Sequence, residues 1–142
     1  MIHAFRQSAL LILATLLVLS WTARAEEDAA ASDAQVQYLD MYPSFVLNFS
    51  GGTGGKLRYL KADVSLRVDT KSGAASVEKH MPALRNEAVL LLSQQNDDTM
   101  MDNAKREALR LELLKKMQDL MTAEENAPIL VDLLFTNFVV QR

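Results

Sequence analysis

Lys56-Leu57-Arg58-Tyr59-Leu60-Lys61-Ala62-Asp63-Val64-Ser65-Leu66-Arg67-Val68-Asp69 is the stretch on which the fold turns. Leu60, Ala62, Val64, Leu66 and Val68 alternate with Tyr59, Lys61, Asp63, Ser65 and Arg67. Successive side chains of an extended chain point to opposite faces, so the pattern predicts a long strand with one face on a core and most of the other in water. Lys71-Ser72-Gly73 is expected to close it. Upstream, Ser50-Gly51-Gly52-Thr53-Gly54-Gly55 reads as a turn, short enough for Phe45–Phe49 to fold back and pair as a hairpin. Before Pro43, Val36, Tyr38 and Leu39 begin another extended piece, since aromatic and β-branched groups suit strands.

Beyond the long strand the period changes. Val77, Met81, Leu84, Ala88, Leu91 and Leu92 recur every three or four residues, which predicts a helix over 77–94. Pro82 fits best in a first turn, so the helix is expected either to start near Lys79 or to kink. A second helix is expected from Asn103 to Met121, with Asp98 or Thr99 as its cap and Leu109, Leu113, Met117 and Leu120 as its apolar stripe. After Pro128, Ile129 to Val140 is β-rich with imperfect alternation, the pattern of a strand covered on both faces. Two helices between strands allow the last strand to return beside an earlier one. The expected class is α+β: a small antiparallel or mixed sheet with two helices packed on one face.

The N-terminus reads as a targeting segment. Arg6 precedes an apolar run, Ala9 to Trp21, which ends in Ala23-Arg24-Ala25. A positive start, a short greasy middle and small residues before the cut make a secretory signal. A helix that crosses the hydrocarbon core needs about 20 apolar residues, more than this run supplies. Cleavage is expected between Ala25 and Glu26, with Ala23 and Ala25 in the peptidase pockets; an uncleaved anchor over 1–25 is the alternative. Residues 26–34, Glu-Glu-Asp-Ala-Ala-Ala-Ser-Asp-Ala, then form a flexible acidic leader, and 35–142 the folded domain. The whole chain carries a net charge of −3, and loss of Arg6 and Arg24 would make it more acidic. Such a balance disfavours nucleic acid as a partner. With no cysteine there is no lipid attachment, disulfide or thiolate metal site.

No catalytic pattern emerges. The glycine turn before Lys56 superficially resembles a phosphate loop, but the first required glycine falls on Ser50, and Leu57 stands where a hydroxyl should bind magnesium. His80 is the only histidine after the targeting segment and lacks companions at ligand spacing, which predicts a surface or capping role. Asp97-Asp98 and Glu124-Glu125 lie at helix ends, where dipole and solvation account for them. Met100, Met101, Met117 and Met121 suit core packing better than an adaptable surface. Neither enzyme activity nor a cofactor or metal is expected.

Taken together, several segments resemble the FliL family of flagellar basal-body-associated proteins. They are Tyr42-Pro43-Ser44-Phe45-Val46-Leu47-Asn48, Arg58-Tyr59-Leu60-Lys61, His80-Met81-Pro82-Ala83-Leu84-Arg85-Asn86-Glu87 and Leu91-Leu92-Ser93. Lys105, Leu109 and Arg110 before Leu113-Leu114 fit too, and Leu134-Phe135-Thr136-Asn137-Phe138-Val139-Val140-Gln141 is the most specific. The resemblance covers Tyr38 to Gln141. It implies a stomatin- or prohibitin-like domain in the periplasm or on the periplasmic face of the inner membrane. It also implies a non-enzymatic scaffold that forms homo-oligomers and meets the periplasmic region of the flagellar stator and other basal-body proteins in support of motility. Family members usually keep a longer membrane helix than Ala9 to Trp21 provides. That departure leaves, as the alternative, a stand-alone periplasmic domain that binds another envelope component. Arg67, Asp69, Lys79 and Arg85 are rim candidates for partner contacts, on the general ground that charged rims tune specificity.

Overall fold

The computed structural model describes residues 33–49 and 58–141. The proposed signal segment with Ala23, Ala25 and Glu26, and the glycine turn 50–55, lie outside those residues.

The central element is the strand that the alternation predicts. We name the strands β1 (Ala34–Asp40), β2 (Phe45–Phe49), β3 (Arg58–Thr70) and β4 (Leu130–Gln141). β3 pairs with all three others. β2 is antiparallel to it, with Phe45 opposite Ala62 and Phe49 opposite Arg58. β4 runs antiparallel along the whole other edge, from Tyr59 opposite Gln141 to Val68 opposite Leu130. β1 therefore shares the β2 edge further along, and the Met41 N–H donates to the Val64 carbonyl where the two meet. The fold is α+β with an open antiparallel sheet, as the sequence predicts.

The first helix follows β3 without a loop. α1 (Lys71–Ser93) is longer than expected and runs through Pro82. Its start is set by Thr70, whose hydroxyl accepts from the Gly73 N–H. Lys71-Ser72-Gly73, expected as the turn that closes the strand, is instead the first helical turn, because a threonine cap competes well there. Gly73 is required for space: a Cβ would lie 2.7 Å from the Thr70 hydroxyl oxygen and 3.0 Å from Ile129. The short α2 (Asp97–Met101) is capped by Asn96, and α3 (Asn103–Glu125) by Asp102, which accepts from the Lys105 N–H. The expected cap at Asp98 or Thr99 thus resolves into two caps on two helices. Asn126, with φ of 55°, ends α3 in a left-handed turn that asparagine tolerates.

The core lies between one face of the sheet and the helices. Leu60, Ala62, Val64, Leu66 and Val68 are each 0–2% exposed, and the helices present Val77, Leu84, Ala88 and Leu92 from α1 and Leu109, Leu113, Met117 and Met121 from α3. Met121, not Leu120, completes the α3 stripe, a strict four-residue repeat. Met100, Met117 and Met121 pack in the core as expected, whereas Met101 is exposed.

β4 departs from its expected double cover. Val131, Leu134 and Val139 are exposed, so its outer face is open. The broken alternation has a different cause: the register slips between Asp63 and Val64 and again between Arg67 and Val68, each slip leaving an extra residue on β4. The unpaired edge of β4 is guarded from the helix side. Arg110 donates to the Leu133 carbonyl at 2.7 Å and Gln118 to the Leu130 carbonyl at 3.0 Å, satisfying acceptors that could otherwise template another strand.

Leu66→Ala removes a fully buried side chain from the strand that every other strand pairs with. It is expected to lower the unfolding free energy by about 3 kcal/mol, read from urea denaturation at an unchanged slope.

Candidate functional site

Polar residues of the resembling segments make contacts at four places. The first is the corner between β1 and β2. Met41-Tyr42-Pro43-Ser44 turns the chain there, with the Tyr42–Pro43 peptide cis. Arg85 of α1 reaches it from below: its guanidinium donates to the Met41 carbonyl and stacks 4.3 Å from the centre of the Phe45 ring. Phe45 and Met41 are themselves buried, so the clamp fixes the corner to the core. Arg85 was expected at an exposed rim; it is half-buried because a planar cation can satisfy a carbonyl and an aromatic face together. Tyr42, held at the tip, is 84% exposed, more than any other large apolar or aromatic residue described.

The second place lies beside the first. Asp63 on the outer face of β3 receives a hydrogen bond from Asn137 at 3.0 Å, and Ser44 provides another. The Ser44 and Asn137 hydrogen bonds hold the Asp63 carboxyl below its ordinary range, against the smaller opposing effect of burial. Asp63 thereby ties β2's leading turn and β4 to one carboxylate. A hollow of about 240 Å³ opens here, lined by Asp40, Met41, Tyr42, Ser44, Asp63, Val64 and Thr136.

The third place joins the two long helices. His80 Nε2 lies 2.6 Å from Glu125 Oε1, and Lys79 Nζ lies 3.0 Å from the same oxygen. His80 was expected in a surface or capping role; it is mostly buried and contacts Glu125 in the last turn of α3. Hydrogen bonds from Lys79 and then His80 lower the Glu125 pKa. Lys79 remains largely exposed, and Arg67 pairs with its neighbour Asp69 at 3.0 Å, so these rim candidates are at the surface but already have partners. A fourth contact of the same kind holds α3 to β4. Arg110 bridges Glu107 and Asp132 at 2.7 and 2.6 Å. Burial pushes the Asp132 carboxyl up, but the Leu133 N–H and Arg110 outweigh it and the net shift is downward.

Sequence reasoning missed these groupings, since Asp63 and Asn137 are 74 residues apart and Lys79 and Glu125 46 apart. The one signal available was that Ser44, His80, Arg85, Arg110 and Asn137 all fall inside the resembling segments. Among the described residues no group of three or more histidines, aspartates and glutamates is placed to hold a metal ion.

Fold and site define a small α+β domain whose polar motif residues hold corners, edges and helix ends in shape and leave aromatic groups at the surface. The family described as flagellar basal body-associated protein FliL matches residues 38–141, and the chain belongs to it. Membership gives the protein a flagellar basal-body-associated role within a structural and accessory family. Among curated proteins none matches the chain. No helix of the described residues is long and apolar enough to cross a membrane.

Arg85→Ala leaves the buried Met41 carbonyl without its donor and uncovers Phe45. A loss of about 2 kcal/mol in unfolding free energy is expected by denaturant titration. Glu125→Gln tests the helix clasp by its pH dependence. The folded-state pKa of Glu125 lies below the ordinary carboxylate value, so the ionised group stabilises the fold above that ordinary value, about 4.3. The stabilisation fades as pH falls through the lower folded value. Melting curves of wild type and Glu125→Gln are therefore expected to differ at pH 6 and to converge towards pH 3.

Proposed function

We propose that this domain is a non-enzymatic scaffold of the flagellar motor, working in the periplasm or on the periplasmic face of the inner membrane. It meets the periplasmic region of the stator and other basal-body proteins, assembles with further copies of itself, and supports motility. The observation that carries this reading is the family match, which spans nearly all of 35–142 and includes every residue of the Arg85, Asp63 and Glu125 contacts. Their chemistry supports it: each charged group closes on a structural partner, which suits a domain that presents a fixed shape. Assembly through contacts that do not swap back on themselves would close into a ring.

The targeting segment belongs to the same proposal. Residues 1–25 are removed as a signal peptide after Ala25, with Ala23 and Ala25 read by the peptidase, and 26–34 serve as a leader before the domain. If the segment stays uncleaved, it tethers the domain to the inner membrane. The short apolar run Ala9 to Trp21 favours a second reading as well, a diffusible periplasmic domain that binds another envelope component.

Deletion of the chain is expected to shrink swimming or swarming zones in soft agar, with recovery when the full chain is supplied. Unchanged zones with intact flagella would overturn the motor reading. Mass spectrometry of the native N-terminus separates the two placements: Glu26 as the first residue is expected, and Met1 in the membrane fraction would show an uncleaved anchor.

A further inference from the structure

The open edge of β4 is sealed along only part of its length. The Val64 carbonyl accepts from Met41, so β3 turns the backbone groups of its even-numbered residues away from β4. Their counterparts on β4, which are Leu130, Leu133, Phe135, Phe138 and Val140, therefore turn their own N–H and C=O groups to the open edge. Side chains cap this row at its start: Gln118 donates to the Leu130 carbonyl, Arg110 donates to the Leu133 carbonyl, and Asp132 accepts from the Leu133 N–H. No described residue caps the edge-facing groups of Phe135, Phe138 and Val140 in this way.

A groove of about 490 Å³ lies beside this uncapped stretch, between β4 and the first turns of α3. Phe135 and Phe138 line it, packed edge to face at 5.1 Å. Its two acids, Glu107 and Asp132, are both engaged by Arg110. Arg106 lines the same groove and has no ion pair among the described residues. Its guanidinium lies 5.4 Å from the centre of the Phe138 ring and donates to Asn103, while the carboxylate of Asp102, one turn before it, caps the Lys105 N–H. We infer that β4 accepts an extended segment of a partner protein as an added strand along Phe135 to Val140, with a carboxylate of that segment on Arg106. The free backbone groups name the occupant: a row of outward N–H and C=O groups is matched by another extended chain, whereas a helix spends its own backbone groups internally. A second copy offering the same edge would bring a second unbalanced Arg106, so charge favours a foreign acidic segment. The inference goes beyond the scaffold reading and does not rest on it, since it stands on the backbone of β4 and the charges beside it.

The test selects binders of the full chain from a displayed library of random peptides about eight residues long, near the length of an added strand. Enriched sequences are expected to alternate β-branched or aromatic residues with polar ones and to carry a glutamate or aspartate. The best peptide is then made synthetically and titrated by fluorescence anisotropy. Its amides are N-methylated one at a time, which removes a backbone donor and leaves the side chains in place. Methylation at alternate positions, those turned to β4, is expected to weaken binding about tenfold, and methylation at the positions between to change it little. Replacing its acid by the amide is expected to cost about tenfold on the wild type and nothing on Arg106→Gln. The melting temperature of Arg106→Gln checks that the fold is intact, and nuclear magnetic resonance of the complex is expected to show the amides of Phe138 and Val140 protected from exchange. No enrichment, enrichment of peptides without the alternation, or an N-methyl scan without a two-residue period would overturn the inference. So would an acid preference that survives Arg106→Gln, or a wild type that already pairs β4 with a second copy in sedimentation and excludes the peptide.

Discussion

Everything described in this domain depends on the burial of one face of β3. Five side chains, Leu60 to Val68 at every second position, lie against the helices with almost no exposure. Burying a valine or leucine contributes about 1.5–3 kcal/mol, so this row anchors the sheet far more strongly than any ion pair on the surface. A slip of β3 by one residue would exchange the whole row for Lys61, Asp63, Ser65 and Arg67. The register is therefore fixed, and it places Asp63 and Lys61 on the outer face at set positions.

From that constraint the polar contacts follow as local solutions. β1 and β2 occupy one edge of β3 in succession, which forces a corner at Met41–Ser44. The corner's carbonyl faces α1, and Arg85 supplies its donor. β4 takes the other edge and is the outermost strand there, and its carbonyls face α3, where Arg110 and Gln118 supply theirs. These arrangements give the polar residues of the matched segments structural partners. They shape a surface, and the surface carries the exposed Tyr42, Tyr59, Val46 and Val139.

The sequence revealed those parts whose cause is local. Alternation over 60–68 and the three-to-four spacing over 77–92 each report which face of one element is buried, and both came out as expected for the core face, whereas Ser65 on the opposite face of β3 is buried too. Helix ends were less legible. The Thr70 cap turned Lys71–Gly73 from an expected turn into helix, and Pro82 was absorbed inside α1 because packing outweighs one lost hydrogen bond. The double cover expected for β4 was wrong because two register slips imitate its pattern. Partnerships across the fold were hidden altogether: nothing near His80 announces Glu125, and nothing near Asp63 announces Asn137. The resembling segments hold His80 and Asn137 but neither Glu125 nor Asp63, so the resemblance gave no reason for the pairs; the contacts supply it.

The most direct test of the central claim is amide hydrogen exchange along the full chain. If β3 is the element on which the others are built, the amides of Leu60 to Val68 will exchange slowest and only through global unfolding, together with those of α1 around Leu84 to Leu92. Exchange of β3 as fast as that of β1, or by a local opening that leaves the helices protected, would contradict the account.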